Sequence, residues 1–363
     1  MKIAIVTLHR VYNYGSVLQA YATQKVFEKR GHSTQVIDYI TPQRTKWKLF
    51  WGKGADNQSG IVYRIAKIGS FILKEKTFGH FVRTKLNLTK KYIAAEDLEK
   101  VPPKADVYVT GSDQTWNSQY NEGIDRGFFL DFLPENARRI AFVASFGKTK
   151  LDTNELSETK RLLSRYEKIS VREDSAVQIV SDLGLEAPMQ LIDPTLMLGK
   201  SEWGEIASPK LVKEPYLILM LLYNEDNHAT EYARKIADEK GLKLVKISWE
   251  MKKPLMVDQL FTHRAPADFL SLFYHADFVV TNSFHGLAFS INLEKQFIVV
   301  PRNEFNSRIE SLLRLVGLSN KLVNDDEKAM TECEIPIDYS VVGERIKKER
   351  KRVDRFLDSI RGM

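Results

Sequence analysis

Short apolar runs alternate with helix-periodic stretches along most of the chain. Residues 2–8 form the first run, and a helical pattern follows over 15–29, stopped by Gly31. Further strands are predicted at 34–38, 105–109, 139–143, 168–171 and 190–192. A second series opens with a strand at 216–221 and a helix at 228–239, followed by a strand at 243–247 and a helix at 267–274. It continues with a strand at 277–281, a helix at 284–293, a strand at 297–300 and a helix at 307–315. A charged amphipathic helix over 341–360 closes the chain. Such alternation predicts an α/β protein with largely parallel sheets, and 363 residues are too many for one ordinary core. The boundary falls near 196–212, giving domains at 1–200 and 201–336 and a C-terminal helix at 337–363. Ligands of open α/β sheets bind outside the carboxyl ends of the strands, so two such domains facing each other predict a cleft between them.

Polar residues do gather at those strand ends. Thr281-Asn282-Ser283-Phe284-His285-Gly286 marks the passage from a strand to a helix. A helix start offers unpaired N–H groups and a positive dipole end, which bind anions. A histidine there can exchange a proton near neutral pH; the plain alternative is that Ser283 caps the helix and His285 lies on the surface. Asn13-Tyr14-Gly15-Ser16 stands between the first strand and its helix, as a plain turn or as a loop that admits an anion or sugar hydroxyls. It is not GxGxxG, so the dinucleotide fingerprint is absent. Gly111-Ser112-Asp113-Gln114-Thr115-Trp116-Asn117 offers polar groups around an aromatic ring, suited either to hydroxyl-rich ligands or to an Asx-type turn with Trp116 at a core edge. Arg172, at a strand end, can clamp a carboxylate or phosphate, or simply pair with Glu173 or Asp174. Arg308, at the start of a helix, has the same two readings. Asp193-Pro194-Thr195 reads as a rigid turn.

Composition narrows the classes. One cysteine, Cys333, excludes an internal disulfide framework and a CxxC site, and its acidic neighbours oppose a thiolate. The seven histidines lack metal-ligand spacing, so no metal is expected, and no P-loop motif occurs. No signal peptide and no membrane-spanning apolar run are recognised, so the expected compartment is the cytoplasm. The net charge of +7 is uneven: residues 41–93 hold twelve Lys/Arg against two acidic residues, a balance of +10. Trp47, Phe50, Trp51, Tyr63, Phe71, Phe78 and Phe81 are interleaved there. That mixture fits an irregular insertion packing on its own domain, or peripheral contact with an anionic membrane. Because the remainder of the chain is acidic, no nucleic-acid partner is expected.

Together, Asn13-Tyr14-Gly15, Gly111-Ser112-Asp113, Ser145-Phe146-Gly147, Ser170-Val171-Arg172-Glu173, Asp193-Pro194-Thr195 and Ser283-Phe284-His285-Gly286 resemble, in this order, the polysaccharide pyruvyl transferase family. The likeness covers roughly residues 1–318. It implies two Rossmann-like domains in a GT-B-like arrangement. It also implies transfer of pyruvate from phosphoenolpyruvate, a co-substrate rather than a cofactor, to two hydroxyls of a sugar, releasing phosphate. By that resemblance His285 and Arg172 contact the donor, with Ser283, Asn282, Gly286, Arg308 and Ser145 around it. Asp113 orients or deprotonates an acceptor hydroxyl, and Asn13, Tyr14, Gly15, Trp116 and Asn117 line the acceptor side. The acceptor is a glycan, with a lipid-linked precursor as one form. A nucleotide-sugar glycosyltransferase and a non-catalytic glycan- or membrane-binding protein are the competing readings.

Overall fold

The computed structural model describes residues 1–41, 69–222, 227–249, 253–301 and 306–362. The chain divides into two compact units, residues 1–194 with 352–363, and residues 195–351. The first unit holds seven strands: β1 (Lys2–Val6), β2 (Ser33–Tyr39), β3 (Leu88–Tyr92), β4 (Val107–Thr110), β5 (Arg139–Ala144), β6 (Lys168–Val171) and β7 (Met189–Gln190). They form one parallel sheet in the order β3-β2-β1-β4-β5-β6-β7. β4 and β5 are buried throughout. Covered on both faces, they read in sequence as unbroken apolar runs rather than as alternation.

Helix Tyr14–Lys29 carries the chain from β1 to β2, while β4 lies on the other side of β1. The winding therefore reverses between β1 and β4, where a doubly wound sheet opens its ligand crevice. One face of the sheet buries Val6, Ile37, Phe128 and Leu130 on its β2 side and Trp116, Phe129, Phe146 and Leu162 on its β6 side, while Ile5, Val36, Val109 and Ile140 are buried on the other face. Arg139, buried at the start of β5, satisfies its guanidinium on the carbonyls of Leu130, Leu133, Pro134, Glu135 and Ala137 at 2.7–3.3 Å. It thereby ties down the loop that carries Phe128–Leu133.

The second unit repeats the plan with β8 (Tyr216–Met220), β9 (Lys243–Ser248), β10 (Gln259–Thr262), β11 (Phe278–Thr281) and β12 (Gln296–Val299). All are parallel, in the order β10-β9-β8-β11-β12, so the reversal falls between β8 and β11. The long last helix runs over Tyr339–Asp358.

Several elements differ from the sequence expectation, among them the helices Leu156–Leu163 and Asp174–Asp182, for which no helical pattern was read. β3 falls within the basic stretch 41–93 and pairs with β2 as an edge strand whose Lys90 and Lys91 stay exposed. Lysines on an edge are a usual guard against intermolecular pairing, and they mask the strand pattern. Residues 69–85 of the same stretch are helical and bury Phe78 and Phe81, whose rings meet Tyr14 at 5.0 Å and Tyr21 at 6.1 Å. This part of the stretch therefore packs on its own unit. Its remainder, with Lys46, Trp47, Lys48, Phe50, Trp51, Lys53 and Tyr63, lies outside the described residues. β10 and the helix Asp326–Glu334 were also not foreseen: β10 fully buries only Phe261, and the helix buries only Ala329 and Cys333 on an otherwise charged chain. Among the described residues no helix is long and apolar enough to cross a membrane.

Candidate functional site

In the second unit, the β11 end passes directly into helix Phe284–Asn292. Ser283 is its N-cap, its hydroxyl accepting from the Gly286 N–H at 3.3 Å. Thr281 sits beneath this turn: its hydroxyl donates to the Met220 carbonyl at 2.7 Å and accepts from the Ser283 N–H at 3.0 Å. A side chain at position 286 would place a Cβ 2.4 Å from that hydroxyl, so glycine is required by close approach. Asn282 spans the reversal between β8 and β11, accepting from the Leu222 N–H at 2.6 Å and donating to its carbonyl at 3.3 Å. The amide expected near the donor is thus committed to locking two strand ends together.

His285 stands in the first turn of this helix and is buried. Its ring meets Phe284 edge-on at 5.1 Å, and the Arg308 guanidinium lies 5.8 Å from the centre of the Phe284 ring. Arg308 enters from the start of helix Ser307–Val316. One helix N-terminus, one imidazole and one guanidinium are therefore gathered around Phe284, an assembly fitted to an anion that also needs a proton partner.

The first unit builds a different kind of site. Five segments bring Ser16, Ser112 and Asp113, Ser145, Arg172 and Glu173, and Asp193 to the carboxyl ends of the strands. Arg172 is fully buried with three carboxylates around it: Asp193 at 3.0 Å, Asp113 at 3.5 Å and Glu173 at 3.7 Å. Burial works against its charge, but the three anions outweigh burial and hold its pKa above the ordinary guanidinium value. Ser16 donates to Asp113 at 2.5 Å, Ser112 to Asp193 at 2.8 Å and Ser145 to Glu173 at 2.8 Å. Asp113 has φ +76°, a conformation unusual for a side-chain-bearing residue and a form of strain that concentrates at functional sites.

Four residues read from the sequence have surroundings that a strand-end motif does not show. Arg172 was expected to clamp a carboxylate or phosphate of the donor, yet the guanidinium is enclosed by carboxylates of its own chain. Ser145, expected at the donor, is bound to Glu173 and accepts from the Gly147 N–H at 3.1 Å. Glu173, read as one half of a surface pair, is buried, and Asp193 is more than a turn.

The acceptor-side set also divides. Trp116 is buried and stacks on Phe129 at 5.4 Å with a 14° interplanar angle, so it supports the crest from within the core instead of presenting a platform to solvent. Asn117 caps the short turn after it and donates to Gln114 at 2.6 Å. Asn13 caps helix Tyr14–Lys29 by accepting from the Ser16 N–H, while Tyr14 and Gly15 are buried in its first turn. Their service is to fix the helix start that presents Ser16. Two buried groups were missed by sequence reading. Lys148 donates to Ser118 at 2.5 Å and Asp152 at 3.1 Å. His9 meets Asp38 at 3.1 Å. Each sits just past a strand end, the signal that could have found it. Burial raises the Cys333 thiol to about 11, consistent with an unreactive cysteine.

Comparison with known proteins agrees with this architecture. The chain resembles UDP-GlcNAc 2-epimerase from Methanocaldococcus jannaschii at 13% identity and TM-score 0.51, over 99% of this chain and 100% of that one. It resembles UGT89C1 of Arabidopsis thaliana, complexed with UDP-L-rhamnose, at 9% identity and TM-score 0.50, over 99% and 97%. These likenesses are of fold: two Rossmann-like α/β units of the GT-B class. No curated protein matches the sequence significantly. The polysaccharide pyruvyl transferase family model matches residues 13–304, a span that takes in the helix-capping loop, the carboxylate-ringed Arg172 and the Ser-Phe-His-Gly turn. On that match, the chain belongs to the polysaccharide pyruvyl transferase family, a family of enzymes.

Proposed function

We propose that this protein transfers pyruvate from phosphoenolpyruvate to two hydroxyls of one sugar in a glycan, forming a cyclic ketal and releasing phosphate. The observation that carries the reading is His285 in the first turn of a helix at the β8/β11 reversal, with Arg308 beside the same phenylalanine. The donor needs cationic and N–H partners, and this turn supplies both. His285 delivers a proton to the methylene carbon of the enol, or hydrogen-bonds the phosphate, with Ser283 and Gly286 forming the turn around it. Protonation makes C2 electrophilic, and the first sugar hydroxyl attacks it and gives up its proton. The second hydroxyl then displaces the phosphate, which leaves with the proton that hydroxyl loses, so two C–O bonds form at C2 and one breaks.

The crest of the first unit has the opposite character. Three carboxylates and one guanidinium leave it net anionic when the acids are ionised, which repels a phosphate but accepts hydrogen bonds from a neutral polyol. This favours the glycan acceptor there, with Asp113 receiving a hydroxyl proton and Arg172 holding Asp113. A lipid-linked precursor is the acceptor form that would explain the basic, aromatic stretch 41–93 as a contact for an anionic membrane. Salt-independent liposome co-sedimentation would sink that part of the proposal.

The test is phosphate release from phosphoenolpyruvate over a panel of p-nitrophenyl hexosides and glycan acceptors. Turnover that falls roughly 10²–10⁴-fold in His285→Ala, the usual worth of general acid catalysis, supports the assignment. Binding of a nucleotide sugar without any response to phosphoenolpyruvate would instead select a glycosyltransferase. A cellular role untouched by His285→Ala would favour a non-catalytic glycan- or membrane-binding protein.

A further inference from the structure

We propose that Tyr120 is the aromatic platform of the acceptor site, against which a sugar ring of the glycan lies. The inference rests on the pyruvyl-transfer reading for what is done to that sugar, and on the first unit alone for the subsite itself. Among the described residues Tyr120 is the one exposed aromatic side chain, with 40% of its surface accessible. The other large exposed apolar side chains of this unit, such as Val101 and Leu156, are aliphatic. A sugar ring has an edge of hydroxyls and a face of C–H groups. The hydroxyls suit the carboxylates of the crest, and the C–H face suits the negative face of an aromatic ring. Trp116 is buried and offers that face no partner.

The position of the ring follows from the end of β4. The chain runs on from β4 through residues 111–117 into the helical turn Ser118–Asn121. This continuation is tied to the end of β5 by the Asp113–Ala144 bridge and by the Trp116 N–H, which donates to the Ser145 carbonyl at 3.2 Å. Tyr120 therefore stands at the carboxyl ends of the strands, on the same segment as Asp113, where open α/β sheets bind their ligands. The turn beneath it is fixed by three side chains. Asn117 Oδ1 accepts from the Gln119 N–H at 3.0 Å and from the Tyr120 N–H itself at 3.3 Å. Asn121 Nδ2 donates to the Thr115 carbonyl at 2.9 Å. Lys148, buried just past β5, donates to Ser118 Oγ at 2.5 Å and is anchored on Asp152 at 3.1 Å and Glu155 at 3.3 Å. The backbone is thus held in place while the ring it carries stays exposed. A fixed backbone and a stiff side chain lose little entropy on binding, so the contact energy of the ring is kept.

The experiment compares Tyr120→Ala, Tyr120→Leu and Tyr120→Phe with wild type, using methyl and p-nitrophenyl glycosides of the same hexoses. Phosphate release gives kcat and the acceptor KM. Titration calorimetry gives the affinities for phosphoenolpyruvate and for the glycoside, and melting reports folding. Loss of the aromatic contact is expected to raise the acceptor KM about tenfold in Tyr120→Ala, with both kinds of glycoside. Because only uniform binding is lost, kcat and the affinity for phosphoenolpyruvate stay within about threefold of wild type. Tyr120→Phe keeps the ring and stays within about threefold in KM. Tyr120→Leu keeps bulk without a ring, rises with Tyr120→Ala, and carries the test if Tyr120→Ala does not fold. An acceptor KM unchanged in Tyr120→Ala or Tyr120→Leu would overturn the proposal. So would an equal rise in Tyr120→Phe, which would give the role to the hydroxyl. A rise confined to the p-nitrophenyl glycoside would overturn it by placing the aglycone on the ring, and a parallel fall in phosphoenolpyruvate affinity would overturn it by moving the donor there. A wild-type protein that releases no phosphate from phosphoenolpyruvate would overturn the pyruvyl-transfer reading. In that case glycoside binding that weakens in Tyr120→Ala would leave the sugar subsite standing, and the absence of glycoside binding would remove it as well.

Discussion

Gly286→Ala probes the turn that carries His285. A Cβ at this position would lie 2.4 Å from the Thr281 hydroxyl, 3.1 Å from its Cβ and 3.2 Å from its Cγ2. The helix must shift, or Thr281 must rotate and abandon its bonds to the Met220 carbonyl and the Ser283 N–H. Overpacking of this kind costs about 1–3 kcal/mol, and two lost hydrogen bonds about 1 kcal/mol each. Replacing glycine within a helix returns up to about 1 kcal/mol. The net expectation is a destabilisation of about 1–3 kcal/mol, or roughly 3–10 °C in melting temperature for a unit of this size. A double-mutant cycle isolates the cause. Thr281→Ala alone should cost about 2 kcal/mol through its two hydrogen bonds. It also removes the atom nearest the new methyl, so the double variant should cost little more than Thr281→Ala alone. Urea denaturation of the four proteins, followed by fluorescence, measures this coupling. Additivity within about 0.5 kcal/mol would refute the argument, because it would mean that residues 281 and 286 do not compete for the same space.

Two further outcomes follow from the same kind of reasoning. Gly147 has φ +62°, and a Cβ there would fall 1.9 Å from the side-chain Oε1 of Gln114 and 2.8 Å from the side-chain Nδ2 of Asn117; Gly147→Ala should therefore cost about 2–4 kcal/mol in denaturant unfolding, from the left-handed backbone plus overpacking. Burial raises the Asp38 pKa, but hydrogen bonds from His9 and Arg10 outweigh it and hold the carboxyl well below the ordinary range. Its contribution is present above the unfolded value of about 3.9 and is lost as pH falls toward the folded value, so the stability gap between wild type and Asp38→Asn should be wide at neutral pH and shrink in acid. A gap unchanged between neutral and acid denaturant titrations would contradict this.

The legible part of the fold was the part that is buried on both sides. β6 occupies the residues its apolar run predicts, and β1, β5, β8 and β11 differ from prediction by one or two residues at an end. β3 and β10 escaped because edge strands have one wet side: β3 reads Leu88-Thr89-Lys90-Lys91-Tyr92 with only Tyr92 buried, a pattern no different from a polar loop. The helix Asp326–Glu334 escaped for a similar reason, since among its described side chains Ala329, Met330 and Cys333 pack on the core and the rest are polar.

Legibility of the site follows the distance along the chain. The Ser-Phe-His-Gly turn could be read because Thr281, Ser283, His285 and Gly286 act on one another within six residues, and a cap, an imidazole and a close approach each leave a local mark. The Arg172 cluster leaves none. Ser16 is 97 residues from Asp113, and Ser112 is 81 residues from Asp193, so only the strand order brings them together. Each carboxylate therefore has an unremarkable local explanation: Asp113 an Asx turn, Glu173 a surface pair, Asp193 a stop before proline. What changes the reading is the charge they share around one buried guanidinium. A lone arginine at a strand end invites an anion; an arginine between three carboxylates stands in a cluster that is net anionic when the acids are ionised. The sign of the site's charge is a property of topology that no single motif carries.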